Sequence, residues 1–122
     1  MVMWHSTYHA FGVHVPEDKF VTMHAYQETE WLDGLINHTT ALRGTGVGHL
    51  SAGNYDRDML FLVVVPEDES CQVDLGEFKL SPAMPLDFEQ IEEWTSLIQQ
   101  LAELAGYGDL GTPGWLTIPD VS

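Results

Sequence analysis

The period of apolar and polar positions changes several times along the chain, and the changes delimit strands and helices. Residues 4–15 are rich in aromatic and β-branched side chains and contain no proline, which is typical of a strand. Residues 59–65, MLFLVVV, are apolar without alternation, so both faces of this strand should be covered, at the centre of a sheet. Further strands are predicted at 19–26, 47–52, 73–80 and 115–118.

The four letters VPED occur twice, at residues 15–18 and 65–68, each time after an apolar run. Proline suits the second position of a type I turn and the acids suit solvent, so we interpret both copies as turns. The first turn would join 4–15 and 19–26 in a hairpin. The alternative is a helix that starts at Pro16, because proline and acids are favoured in the first turn of a helix.

Two segments have helical periodicity. The first covers residues 31–42, and Gly44 is suited to end it. The second begins at Asp87, an N-cap candidate with Gln90 three residues later, and ends at Gly106. Its polar face carries Glu89, Glu92, Glu93 and Glu103.

These elements predict a single acidic α+β domain over residues 1–122, with two helices packed on a mainly antiparallel sheet of five or six strands. A ferredoxin-like arrangement is the leading topology, with the two helices around strands at 4–15, 47–52, 59–65 and 115–118.

The expected compartment is the cytoplasm. No apolar run approaches the roughly 20 residues that cross a bilayer, and the N-terminus has no basic region followed by an apolar one. Cys71 is the single cysteine, which fits a reducing compartment. We therefore expect no binding to membranes.

Charge is the strongest feature of the composition. Nineteen acids against four Lys and Arg give a formal charge of −15. Residues 1–61 carry −4 and residues 62–122 carry −11. Such a field repels nucleic acid and anionic lipid, and it speeds the encounter with a basic partner.

The acidity favours a protein-binding module that inhibits or regulates a basic partner, such as a nuclease or another nucleic-acid-binding protein, in the manner of an immunity or phage anti-defence protein. We predict neither catalytic residues nor a cofactor for it, and no direct binding of nucleic acid. The acidic contact surface would comprise Glu67, Asp68, Glu69, Asp74, Glu77, Glu89, Glu92, Glu93 and Glu103.

The six histidines, all in the first half of the chain, support an alternative function. A small enzyme or a metal- or ligand-binding domain could use the N-terminal hairpin, which would set His9 beside His24 as two metal ligands. The chain has no HExxH or CxxC motif, so a metal site is not the first prediction. A third hypothesis is a homodimer formed through a sheet face that carries Trp4 and Tyr8.

Overall fold

A computed structural model describes residues 5–54, 57–65, 72–74 and 88–121 of the chain. Within these ranges, a 3-10 helix covers Glu17–Lys19. The α-helices are α1 (Ala25–Asn37) and α2 (Phe88–Leu104), and the strands are β1 (His5–Val15), β2 (Val47–Asn54), β3 (Arg57–Val64), β4 (Gln72–Asp74) and β5 (Gly114–Val121).

β1 has partners on both of its edges. Its residues 5–12 pair antiparallel with β5, and its residues 11–15 pair antiparallel with β3. β3 also pairs antiparallel with β2 along the full length of both strands. The result is a four-stranded antiparallel sheet in which β3 lies between β2 and β1, and β1 lies between β3 and β5. One parallel bridge also joins Asn54 of β2 to Val121 of β5. The central position predicted for MLFLVVV is confirmed.

The short strand β4 adds to β1 and not to β3. It pairs with residues 6–8 of β1, which also pair with β5, so β4 lies on the edge of β1 that β3 occupies further along. Both β3 and β4 are antiparallel to β1, so they run in the same direction and do not form a hairpin. The rest of the predicted strand 73–80 lies outside the described residues. The α+β class is confirmed, whereas the predicted five or six strands are not.

The predicted hairpin partner at residues 19–26 is not a strand, and that prediction is wrong. The segment contains the end of the 3-10 helix, a bend and the first turn of α1. Its composition favours a strand, but β3, β4 and β5 already occupy the two edges of β1. Pairing between distant parts of the chain therefore overrides the local preference.

Both faces of the sheet are apolar, which explains why β3 shows no alternation. On one face, Phe11, Leu60 and Leu62 pack with both helices in the main core. The other face carries a second cluster of buried side chains, made of Ala10, Ala52, Phe61, Val63 and Ile118. Tyr8 is partly buried against this second cluster, and Trp4 lies outside the described residues.

The predicted bounds of the two helices agree with the structure to different degrees. α1 begins and ends earlier than predicted, and Leu42 reaches the core from a turn after the helix. α2 ends at Leu104, and Gly106, the predicted terminator, follows it with φ 79°. The predicted N-cap, Asp87, lies outside the described residues. Neither α1 nor α2 is long and apolar enough to cross a bilayer.

Candidate functional site

The outward faces of the two helices form one side of the molecule. Leu32 and Ile36 of α1 and Ile98 and Leu101 of α2 are buried in the same core over one face of the sheet. The polar sides of both helices therefore face solvent, and at the flank of α1 Asp33 reaches His49 of β2. We call the exposed residues there the outer helix surface, and they are Tyr26, Glu30, Asp33, Phe88, Glu89, Glu92, Glu93 and Glu103.

Four of the predicted contact residues lie on this surface. Glu89, Glu92, Glu93 and Glu103 of α2 are all exposed, and they span roughly 21 Å of helix axis at 1.5 Å per residue. None of them forms a hydrogen bond or an ion pair with any residue that the structure describes. These carboxylates consequently remain available to an external cation.

The other predicted acids cannot be placed on the same surface. Glu67, Asp68, Glu69 and Glu77 lie outside the described residues. Asp74 belongs to β4, where only its backbone is described.

α1 contributes two acids that the sequence prediction missed. Glu30 and Asp33 follow Tyr26 by four and seven residues, so all three lie on one face of the helix. The same spacing is visible in the sequence, but Tyr26 had been predicted to belong to a strand. Among the described residues, Asp33 pairs with His49 of β2, whose Nε2 lies 2.7 Å from Asp33 Oδ1.

Neither helix contains a lysine or an arginine. Six carboxylates of the outer helix surface therefore face solvent without a basic side chain from their own helices. Between exposed charges, salt screens this field over about 10 Å at 0.1 M, so it acts mainly on a partner that comes close. The surface can attract and orient a basic protein.

A buried carboxylate lies beneath this surface. Glu28, in the first turns of α1, is 0% exposed. Its Oε1 accepts hydrogen bonds from the backbone N–H of Thr22 at 2.5 Å and from the Thr22 hydroxyl at 2.6 Å. Its Oε2 accepts a hydrogen bond from the hydroxyl of Tyr107. Three donors thus compensate for the loss of hydration around this side chain.

The end of α2 places the tyrosine of this network. The N–H of Tyr107 donates to the carbonyl of Ala102 at 2.9 Å, and that of Gly106 donates to the carbonyl of Glu103 at 3.1 Å. This pair of bonds, with Gly106 in the left-handed region, is a Schellman motif. It turns the chain so that Tyr107 is buried against α1.

The environment of Tyr107 keeps its hydroxyl protonated. Burial raises the pKa of Tyr107 far above its ordinary value, and the hydrogen bond to Glu28 and the charge of Glu28 raise it further. Tyr107 therefore remains a hydrogen-bond donor to Glu28 throughout the neutral range. The group is suited to holding α1 and α2 together and is not poised to transfer a proton at neutral pH.

The same network fixes a loop whose apolar side chains face solvent. Thr22, the donor to Glu28, is flanked by Val21 and Met23, which are 61% and 82% exposed. The loop leads into Tyr26, whose ring stacks on His24 with centroids 5.6 Å apart and planes 9° apart. These apolar groups are exposed on a segment that the buried Glu28 anchors.

The histidines predicted as metal ligands have different surroundings. His9 stacks on Trp115 at 5.4 Å, and its Nδ1 lies 3.2 Å from the hydroxyl of Thr117. His24 is the N-cap residue of α1. The hairpin that would have aligned the two is absent, because residues 19–26 do not form a strand. Among the described residues, no three His, Cys, Asp or Glu side chains form a group that could hold a metal ion.

A pocket of about 250 Å³ opens where β1 ends, and it is lined by His14, Glu17, Phe20 and Asp58 among others. Sites for drug-sized ligands usually measure about 300–1,000 Å³. The pocket is therefore a weaker candidate than the outer helix surface.

Comparisons with known proteins return no match: no family model fits the chain, and no curated protein or solved structure is similar to it.

Proposed function

We propose that the protein binds a basic protein partner through the outer helix surface and thereby inhibits or regulates that partner. One observation carries the proposal: six exposed carboxylates lie on two helices that pack in the same core and contain no lysine or arginine. A rigid array of like charges raises the rate of association with an oppositely charged surface and fixes its orientation.

The class of partner follows from this charge. Nucleases and other nucleic-acid-binding proteins carry basic surfaces that neutralise phosphates, and an acidic protein can occupy such a surface. Close imitation of a DNA duplex is not proposed, because DNA carries one charge per about 1.7 Å of axis, whereas α2 offers four acids over roughly 21 Å. We place this activity in the cytoplasm, as an immunity or phage anti-defence function would require.

Charge reversal with a matched control tests the proposal. The variant Glu89→Lys with Glu93→Lys changes the outer helix surface, and Asp18→Lys with Asp58→Lys changes exposed acids elsewhere by the same total charge. Partners are captured from the source cell at low and moderate salt, and the recovered partner is then titrated against each variant. We expect the first variant to weaken binding by about tenfold and the control by less than about threefold.

Equal losses in the two variants would show that net charge matters and the position of the charge does not. Unchanged binding in both would exclude the surface. If the partner is a nuclease, its activity should fall in proportion to added protein, and the reversal at Glu89 and Glu93 should restore the activity.

We also propose that the topology is ferredoxin-like. The element order β-α-β-β-α-β, with β4 as a short addition, and the strand order β2-β3-β1-β5 support it. Amide contacts measured by NMR between β1 and both β3 and β5 would test this order.

A further inference from the structure

An exposed aromatic ring followed four residues later by an exposed glutamate occurs on both helices. On α1 the pair is Tyr26 and Glu30, and on α2 it is Phe88 and Glu92. Residues four apart on a helix are neighbours on its surface. The rings are 61% and 77% exposed, although aromatic side chains usually bury most of their area.

The ring of Tyr26 is held in place before any partner arrives. One of its faces stacks on His24, and the hydroxyl of Thr29 donates to the Tyr26 carbonyl at 2.8 Å. The loop before it is anchored by the hydrogen bonds of Thr22 to Glu28. A side chain that is already ordered loses less conformational entropy on binding, so such a ring is an effective contact residue.

The chemistry of a ring beside a carboxylate selects one cation over another. A guanidinium group is planar and weakly hydrated, so it can stack on an aromatic face while its N–H groups bond to a carboxylate. The ammonium group of lysine is compact and strongly hydrated, and it gains less from the ring. The outer helix surface has no lysine or arginine of its own to occupy these positions.

We infer that the outer helix surface recognises arginine side chains of its partner, with each guanidinium stacking on Tyr26 or Phe88 and bonding to Glu30 or Glu92. This inference rests on the proposed function, because it specifies how the basic partner is bound. It predicts a preference for arginine that net charge alone would not produce.

Arginine-only and lysine-only peptides of equal length provide defined probes of the full chain. The wild-type protein should bind the arginine peptide more tightly. Each ring contributes about two- to fivefold at an exposed site, so Tyr26→Ala with Phe88→Ala should lower the affinity for the arginine peptide by about four- to twenty-fivefold. Its affinity for the lysine peptide should change much less, and Tyr26→Phe alone should keep the preference.

A matched control removes exposed apolar area without removing a ring. Val21→Ala with Leu104→Ala truncates two exposed aliphatic side chains, and it should leave the ratio of the two affinities unchanged. Thermal unfolding of each variant verifies that the fold is intact. An unchanged ratio in the variant without Tyr26 and Phe88, or the same change in the aliphatic control, would overturn the inference.

Reversal of Glu89 and Glu93 separates this inference from the proposed function, because neither residue belongs to a ring–glutamate pair. Suppose that the reversal weakens the binding of both peptides while loss of the two rings leaves the ratio of their affinities unchanged. In that case the acidic surface is supported and the preference for arginine is wrong. If the reversal affects neither peptide, the proposed function itself fails.

Discussion

Glu28 and Glu92 show two opposite uses of the same side chain. Glu28 of α1 is buried and receives three hydrogen bonds, whereas Glu92 of α2 is exposed and has no partner among the described residues. Glu28 lies beneath the loop that carries Val21 and Met23 and is closed off from solvent, whereas Glu92 lies beside the exposed ring of Phe88 and is open to solvent. The first carboxylate holds the structure together, and the second leaves its charge free for a partner.

Replacing each glutamate by alanine should give the largest difference in stability between two variants. Glu28→Ala removes the acceptor of three hydrogen bonds, including that of the buried Tyr107 hydroxyl, and opens a cavity, so we expect the free energy of unfolding to fall by about 3–5 kcal/mol. Glu92→Ala, the matched change on the other helix, should alter it by no more than about 0.5 kcal/mol. Urea titration of both variants provides the measurement. Similar losses in the two would contradict the distinction between them.

Tyr107→Phe should have an intermediate effect that depends on pH. The variant removes the donor to Glu28 Oε2, which we expect to cost about 1–3 kcal/mol at neutral pH.

The sign of the pH dependence follows from the raised pKa of Tyr107, because the folded protein keeps the phenol proton after the unfolded chain has lost it. The wild-type free energy of unfolding should therefore decrease with rising pH above about 10, the ordinary pKa of tyrosine. Denaturant titrations between neutral and alkaline pH should show that Tyr107→Phe lacks this contribution. Parallel pH profiles for the two proteins would mean that Tyr107 does not retain its proton on folding.

Glu93→Gln should have the smallest effect, and in the opposite direction. Glu89 and Glu93 are four residues apart on α2, so their like charges repel each other. Neutralising one should raise the free energy of unfolding by about 0.2–0.5 kcal/mol at low salt, with a smaller gain at high salt. Thermal unfolding at two salt concentrations can resolve this, and a loss of stability would indicate a partner for Glu93 within the fold.

The sequence was sufficient to predict an element where the local pattern of residues agrees with the tertiary structure. The unalternating run in β3 identified a strand covered on both faces, and the helical periodicity with Gly106 located α2 and its acidic face. The sequence did not predict the structure of residues 19–26 correctly, because their aromatic and β-branched composition favours a strand. The pairing of β1 with β3, β4 and β5 left no edge for it, and that pairing is not visible locally.

The buried network could not be predicted for the same reason. Nothing in the local sequence marks Glu28 as a buried residue, because its partner Tyr107 is 79 residues away. Because the helix was predicted to start too late, Tyr26 was assigned to a strand, and its alignment with Glu30 and Asp33 was overlooked. The residues of the outer helix surface that lie on α2 were therefore predictable from helical periodicity. Those on α1 could be predicted only if the start of that helix was correctly located.

The Schellman motif after α2 positions Tyr107 relative to the last turn of the helix, so the contact with Glu28 depends on the number of residues in α2. Each residue of an α-helix advances the chain by 1.5 Å and rotates it by about 100°. Deleting a single residue anywhere inside α2 would therefore swing Tyr107 away from Glu28, even if every remaining side chain were unchanged. Relatives of this protein should vary in the identity of the exposed residues of α2 while keeping constant the number of residues between its buried stripe and this tyrosine.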